Sequence, residues 1–281
     1  MKLPNYLSQQ EISQQVSNAL AEDIGQGDLT ASLIPAEEHS TARLITREPA
    51  IIAGIPWATE VFTQLDSRIQ IQWKAKDGDR VEADAVLAII TGPSRAILSG
   101  ERTAMNFLQT LSGTATITHE YVQLVEGTGI RLLDTRKTLP GLRKAQKYAV
   151  LCGGGYNHRV GLYDAILIKE NHIIAAGSIT NAVKHVKDLH TDVMVEVEVE
   201  NLEELKETLE VGVHRILLDN MDNATMRQAV EITAGRAELE ASGGVSRESL
   251  RSIAETGVDF ISIGSLTKHV RAVDLSMRFS D

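Results

Sequence analysis

Ala165-Ile166-Leu167-Ile168 runs straight into Lys169-Glu170-Asn171-His172, and this joining of a short apolar run to a polar end decides the fold. The pattern recurs through the second half of the chain. Apolar runs stand at residues 130–133, 165–168, 193–197, 215–218, 237–239 and 260–263. Runs this short suit strands buried on both faces. Helical patterns fill the intervals, so the segment reads as parallel βαβ units with right-handed crossovers. Six such strands, not eight, predict an open or incomplete α/β barrel. A doubly wound sheet is the competing architecture, but no Gly-x-Gly-x-x-Gly turn follows an early strand.

Each run ends on chemistry. In order the ends are Asp134-Thr135-Arg136-Lys137, Lys169-Glu170-Asn171-His172, Glu198, Asp219-Asn220, Ser242-Gly243-Gly244 and Gly264-Ser265. Active sites of α/β barrels lie at the carboxyl ends of the strands, and a phosphate often sits in the last two loops. Here those loops are Ser-Gly-Gly and Gly-Ser, whose backbone N–H groups can form an anion nest.

Working outward, the chain has 281 residues, 43% of them hydrophobic, which is enough for a substantial core. Aromatic residues make up 4%, so that core rests on Leu, Ile, Val and Ala. The net charge of −10 argues against nucleic-acid binding, which needs clustered cations. One cysteine, Cys152, excludes an internal disulfide and fits a reducing, cytoplasmic setting. The N-terminus lacks the apolar run of a signal peptide, and no stretch is apolar enough to span a bilayer.

The first half reads differently. Residues 8–22 form a helix with Ser8 as its cap. Turn-rich residues 22–30 follow, then strands at 41–46, 51–53 and 69–73 and a helix at 57–65. Lys76-Asp77-Gly78-Asp79-Arg80-Val81 leading into residues 86–90 reads as a hairpin. Two long helices are expected at 94–111 and from 114 to about 126, with a domain boundary at Gly113. The expected domains are therefore 1–113 and 114–281.

From Asp134 to His172 there are seven Lys or Arg and three Asp or Glu, a charge of +4 (7 − 3) within an acidic protein. Arg136, Lys137, Arg159 and Lys169 stand at or near strand ends, where guanidinium and ammonium groups bind carboxylate or phosphate. Arg143, Lys144 and Lys147 read instead as a solvated helix face. Cys152-Gly153-Gly154-Gly155-Tyr156-Asn157-His158-Arg159 has three glycines that permit unusual backbone angles, then donors that can face an anion. Glu196, Glu198 and Glu200 alternate along one strand face, and Glu198, nearest the end, is the candidate. Glu198 or Asp219 could hold ribose hydroxyls or Mg²⁺ beside phosphates.

Taken together, these motifs resemble the quinolinate phosphoribosyltransferase family, the carboxylating nicotinate-nucleotide pyrophosphorylases. The resemblance rests on Gly100-Glu101-Arg102-Thr103-Ala104-Met105-Asn106, Asp134-Thr135-Arg136-Lys137-Thr138-Leu139-Pro140-Gly141-Leu142-Arg143 and residues 153–159. Ile168-Lys169-Glu170-Asn171-His172, residues 195–199, Leu218-Asp219-Asn220-Met221 and Glu240-Ala241-Ser242-Gly243-Gly244 extend it over nearly the whole chain. It implies an N-terminal α/β sandwich followed by an open α/β barrel. It implies transfer of phosphoribosyl from phosphoribosyl pyrophosphate to quinolinate, with Mg²⁺, releasing pyrophosphate and CO₂ and forming nicotinate mononucleotide.

The resemblance also implies a homodimer in which the partner subunit supplies Arg102. Arg102, Arg136, His158, Arg159 and Lys169 would then bind quinolinate, with Thr135 among the substrate-binding residues. Lys137 would face pyrophosphate, with Glu198 and Asp219 near ribose and metal. Ser242, Gly243, Gly244, Gly264 and Ser265 would hold the 5′-phosphate. Lys137, Glu198 and Asp219 are the expected catalytic groups. Three rivals stand beside this reading: a nicotinate phosphoribosyltransferase without decarboxylation, a Schiff-base aldolase using Lys169, and a non-catalytic carrier built on the Gly78 hairpin, which lacks a carrier lysine.

Overall fold

A computed structural model describes residues 1–188 and 192–280. Helix α1 (Gln9–Ile24) opens the chain, and its cap is the expected one. The Ser8 side chain accepts from the Glu11 amide while the Glu11 carboxylate takes the Ser8 amide, a reciprocal pair worth about 1 kcal/mol. Strand β1 (His39–Thr46), β2 (Ala50–Ile51), α2 (Ile55–Leu65), β3 (Gln70–Trp73), β4 (Arg80–Val81) and β5 (Val86–Pro93) follow. Helix α3 (Ser94–Leu124) leads to β6 (Arg131–Leu133), α4 (Arg143–Cys152), β7 (Ala165–Ile168), α5 (Glu170–Ala176) and α6 (Ile179–Asp188). Then come β8 (Met194–Val199), α7 (Leu202–Val211), β9 (Arg215–Asp219), α8 (Asn223–Thr233), β10 (Glu238–Ser242) and α9 (Leu250–Ala254). The chain ends with β11 (Phe260–Ser262), α10 (Ser265–Lys268) and β12 (Leu275–Phe279).

Packing divides the chain more finely than a single cut at Gly113. One compact unit comprises Met1–His119, Thr138–Gly154 and the segment from Leu266; the other comprises Glu120–Lys137 and Gly155–Ser265. The first is built on an antiparallel sheet of order β12-β1-β5-β3, with Ile12, Val16, Trp57, Phe62 and Tyr148 among its buried side chains. The Trp57 and Tyr148 rings pack 5.6 Å apart. The sequence reading missed β12, which pairs along β1. The expected hairpin is also corrected: β4 pairs with β2, and β5 lies between β1 and β3.

Helix α3 corrects a further expectation. It runs unbroken through Gly113, where two helices were expected. Glycine there is needed for space: a Cβ would lie 2.1 Å from the Arg271 carbonyl oxygen. Helix α4 is not a solvated basic face either. Lys147 is fully buried, along with Gln146 and Tyr148. Lys144 is ion-paired with Glu11, and Arg143 Nε donates to Thr138 Oγ1 at 3.1 Å.

The second unit carries the six expected strands as a parallel sheet of order β6-β11-β10-β9-β8-β7. Read as a ring, this is chain order with one junction unsealed, between β6 and β7. A single bridge from Leu133 to Tyr156 stands beside β6 at that junction. Among the described residues no pairing closes the ring, as expected for an open barrel. Among those residues, too, no helix is long and apolar enough to cross a membrane.

Candidate active site

The carboxyl ends of these strands surround a cavity of about 230 Å³ drawn wholly from the second unit. Thr135, Arg136 and Lys137 follow β6, His158 and Arg159 come from the glycine-rich loop, and Lys169 follows β7. Glu198 on β8 and Ser242 on β10 also line it. The structure thus brings together eight residues that the sequence singled out. Leu167, Leu217, Glu240 and Ser262 complete the wall and were not anticipated. Two further cavities are lined mainly by apolar residues, one at the starts of β8 and β9 and one against α5 and α6. Neither gathers cations.

The local chain explains how the cations are presented. Asp134, fully buried, accepts the His158 amide at 2.9 Å through Oδ1 and the Asn157 side-chain amide at 2.6 Å through Oδ2. This ties the loop after the glycines to the end of β6. Arg159 Nη1 donates to the Ala165 carbonyl at 3.2 Å. Burial, followed by the neighbouring Arg136 charge, pushes the Arg159 pKa down from its usual value. Two guanidinium groups held this close favour a ligand with negative charge. Lys169 and Glu198 form an ion pair at the rim. Gly264 lies against Lys137; a Cβ at 264 would sit 2.8 Å from Lys137 Cδ.

The remaining candidates lie around this centre. Asp219 ends β9, where its Oδ2 accepts from the Asn220 side chain at 2.7 Å. Gly243 and Gly244 follow β10 with φ of +89° and +58°, and Gly243 packs against Asn220. Ser265 opens α10, and Arg102 is exposed on α3 in the first unit. No Cβ could be accommodated at Gly243 without moving Asn220, so that turn depends on glycine.

Beneath the cavity lies a group of charges that sequence reasoning missed. Glu196 and Glu240 are fully buried, and Arg215 and His158 nearly so. His158 Nε2 lies 3.0 Å from Glu196 Oε2 and 3.6 Å from Glu240 Oε2. Arg215 Nη1 lies 3.4 Å from Glu240 Oε2 and its Nη2 2.9 Å from Glu238 Oε2. The Val-Glu alternation in residues 195–200 was the available signal. It left the direction of the glutamate face open, and Glu198 was preferred for its position alone. The face points inward: Glu196 is buried, Glu198 partly buried and Glu200 exposed. His158, Glu196 and Glu240 also have metal-ligand spacing. The Arg215 guanidinium beside Glu240 accounts for part of their charge without an ion.

Burial, then the neighbouring Glu196 charge, push the Glu240 carboxyl up to about 7; burial also raises Glu196, with Arg215 opposing it. Between the ordinary carboxyl value of 4.5 and about 7, folded Glu240 keeps a proton that the unfolded chain has lost. Stability from this group is therefore present at low pH and declines as pH rises through that window. Thermal unfolding from pH 5 to 8 should show this decline in the wild type, and Glu240→Gln should flatten it. Parallel pH curves for the two proteins would refute the assignment.

Comparison with known proteins follows the same lines. Residues 28–112 match the model of the quinolinate phosphoribosyl transferase N-terminal domain, and residues 114–278 that of the C-terminal domain. The chain is 42% identical to a probable nicotinate-nucleotide pyrophosphorylase [carboxylating] of Bacillus subtilis, with 95% of this chain and 93% of that protein covered. It is 42% identical to the chloroplastic nicotinate-nucleotide pyrophosphorylase [carboxylating] of Arabidopsis thaliana, covering 92% of this chain and 80% of that one. The solved nicotinate-nucleotide pyrophosphorylase of Francisella tularensis superposes with a TM-score of 0.96 at 48% identity over 100% of both chains.

Proposed function

The chain belongs to the quinolinate phosphoribosyltransferase family, and from that premise we propose that it transfers the phosphoribosyl group of phosphoribosyl pyrophosphate to quinolinate. The products are nicotinate mononucleotide, pyrophosphate and CO₂, a step of NAD biosynthesis. The observation that carries this reading is the convergence of Arg136, Lys137, Arg159 and Lys169 on one cavity at the strand ends of an acidic protein. Both substrates are polyanions, and such a cavity concentrates them against the overall charge.

The chemistry asks little covalent work of the protein. The bond from ribose C1 to the pyrophosphate oxygen breaks, with the electron pair leaving on oxygen, and the pyridine nitrogen lone pair forms the new bond to C1. No general base is required. The pyridinium ring then accepts the electron pair released when the adjacent carboxylate departs as CO₂, and a proton fills that carbon. Lys137 neutralises charge growing on pyrophosphate, and Glu198 and Asp219 face the cationic ribose. Arg136, Arg159 and Lys169, with Thr135, orient the dicarboxylate. Gly243, Gly244, Gly264, Ser242 and Ser265 receive the 5′-phosphate. Glu198 lies one residue before the end of β8 and Asp219 ends the adjacent β9, and their hard oxygen donors would suit Mg²⁺. A Mg²⁺ held by these carboxylates would supply leaving-group stabilisation.

The test is turnover with quinolinate and phosphoribosyl pyrophosphate, with and without Mg²⁺, following nicotinate mononucleotide and CO₂. Turnover of nicotinate in place of quinolinate, without CO₂, would sink it. The aldolase rival is disfavoured by Lys169 itself. Its side chain is 47% exposed and ion-paired with Glu198, whereas an imine-forming lysine needs a desolvating pocket. Arg159→Ala should weaken quinolinate binding by about 10- to 100-fold, the usual cost of a lost charged hydrogen bond. Wild-type affinity in calorimetry would remove Arg159 from the binding set.

A homodimer with Arg102 contributed by the partner subunit fits the exposed position of Arg102 on α3. Large apolar side chains exposed at Leu29, Leu33, Leu162 and Tyr163 also fit a protein with surface to cover. A monomer mass in light scattering would end this reading. A cytoplasmic setting suits the free, buried Cys152.

A further inference from the structure

Lys169 reaches the cavity from the cap of α5, and one residue, His172, engages both polar groups of its backbone. The His172 ring Nδ1 accepts the Lys169 backbone N–H at 3.0 Å. In return the Lys169 carbonyl accepts the His172 amide at 2.8 Å and the Ile173 amide at 3.1 Å. Lys169 is extended, with φ −122° and ψ 166°, and His172 is the third residue of the helix that follows it. From that position a Glu or Gln side chain ordinarily reaches back to the cap amide. Here a histidine does so. A nitrogen that accepts a hydrogen bond keeps its lone pair, so the ring proton that goes with this contact sits on Nε2. His172 stands outside the wall of the cationic cavity and lines instead the apolar cavity against α5 and α6.

We infer that His172 is a positioning residue for Lys169, acting through the ring lone pair that caps the Lys169 amide. The Lys169 side chain is long and flexible, and its ammonium is ion-paired with Glu198. The backbone at 169 is therefore the fixed end from which that ammonium is aimed. Helix α5 has only seven residues, and a helix so short is marginal without help at its first turn. Loss of the acceptor at 172 would leave the Lys169 N–H to water and let that turn fray. Using histidine for this task has a consequence that Glu or Gln would not bring. The ring is exposed, and imidazole ordinarily changes charge between pH 5 and 8. An imidazolium carries an N–H on both nitrogens and cannot accept, so protonation removes the cap. The titratable groups around the ring are Lys169 and Glu170 in its own segment and His185 of α6, which lines the same apolar cavity; β7 contributes Ile166, Leu167 and Ile168 there. Glu198 of β8 is engaged by the Lys169 ammonium, and Glu200, just past β8, lies near Glu170. That Lys169 binds quinolinate rests on the proposed function; the cap does not.

The decisive measurement is the hydrogen-exchange protection factor of the Lys169 amide, read by NMR on the full chain without substrate at pH 7.5 and pH 5.5. The wild type should be protected at pH 7.5 and about fivefold less so at pH 5.5, the usual effect of one helix cap. His172→Gln supplies a neutral acceptor and should hold its protection at both pH values, while His172→Ala should lack it at both. An Ala variant as protected as the wild type would overturn the cap. Kinetics then test the positioning role. At pH 7.5 His172→Gln should keep KM for quinolinate within about twofold, and His172→Ala should raise it about fivefold with kcat changed less. As pH falls to 5.5, KM of the wild type should climb relative to that of the Gln variant, a ratio that removes the titration of every other group. Equal KM in the Gln and Ala variants, or a wild-type KM that follows the Gln variant at every pH, would overturn the role. A wild type that makes no nicotinate mononucleotide would instead defeat the proposed function, with the amide protection still deciding the cap.

Discussion

Lys137→Ala is expected to turn over about 10²- to 10³-fold more slowly than the wild type, with quinolinate affinity changed far less. That is the usual loss when one preorganised electrostatic partner of a developing charge is removed. Lys137 is suited to such a role by its position. It follows β6, its amide donates to Thr135 Oγ1 at 3.1 Å, and its aliphatic stem lies against Gly264. The ammonium is therefore delivered to the cavity from a stem held between two strand ends. In the ground state the pyrophosphate is already bonded to ribose; only as that bond breaks does its negative charge grow. An interaction that strengthens along this path lowers kcat more than binding. Steady-state kcat with calorimetric quinolinate affinity separates the two. Turnover within tenfold of wild type, or a matching loss of quinolinate affinity, would remove Lys137 from the leaving-group side.

Gly113→Ala carries the second large effect, on stability. In the middle of a helix, alanine ordinarily gains about 1 kcal/mol over glycine. Here the new methyl would sit 2.1 Å from the Arg271 carbonyl oxygen and 3.0 Å from its carbonyl carbon. Both are backbone atoms, so no rotamer change can relieve the contact. Either α3 or the segment before β12 must shift, and overpacking costs about 1–3 kcal/mol, with the upper end expected where only backbone can yield. The loss exceeds the helix gain, and the variant should unfold at clearly lower urea concentration. A midpoint at or above that of the wild type would show that the two segments are less closely held than their geometry states.

The contrast between these two residues shows where the sequence is readable. Lys137 was legible because it stands at a strand end, in a loop with Arg136, in a chain whose other charges are mostly acidic. Gly113 was misread as a helix break because the residue that makes it necessary, Arg271, is 158 positions away. Lys147 was misread for a related reason. Its spacing with Arg143 and Lys144 suggested one solvated face, but α4 is packed on most sides and buries it. The placement of β4 against β2 was hidden in the same way, since a local turn at Gly78 looks like a hairpin whichever strand comes next.

By itself, the sequence determined six short strands with helices between them, the strand ends that carry chemistry, and the cationic set Arg136, Lys137, Arg159 and Lys169. It could do so because strand length, turn glycines and hydrophobic alternation are local properties, and a parallel sheet places every such end on one side. Only the tertiary structure decided which of three alternating glutamates reaches the interior, and which atoms each group meets there. Glu196 sits buried against His158, Glu240 beneath it against Arg215, and the His158 ring between Glu196 and the Arg159 amide. Those contacts join β8, β10 and the loop after α4, and their meaning depends on hydrogen-bond direction over a few tenths of an ångström. No periodicity along the chain records that distance, so the anion site was visible in the sequence while the buried charges beneath it were not.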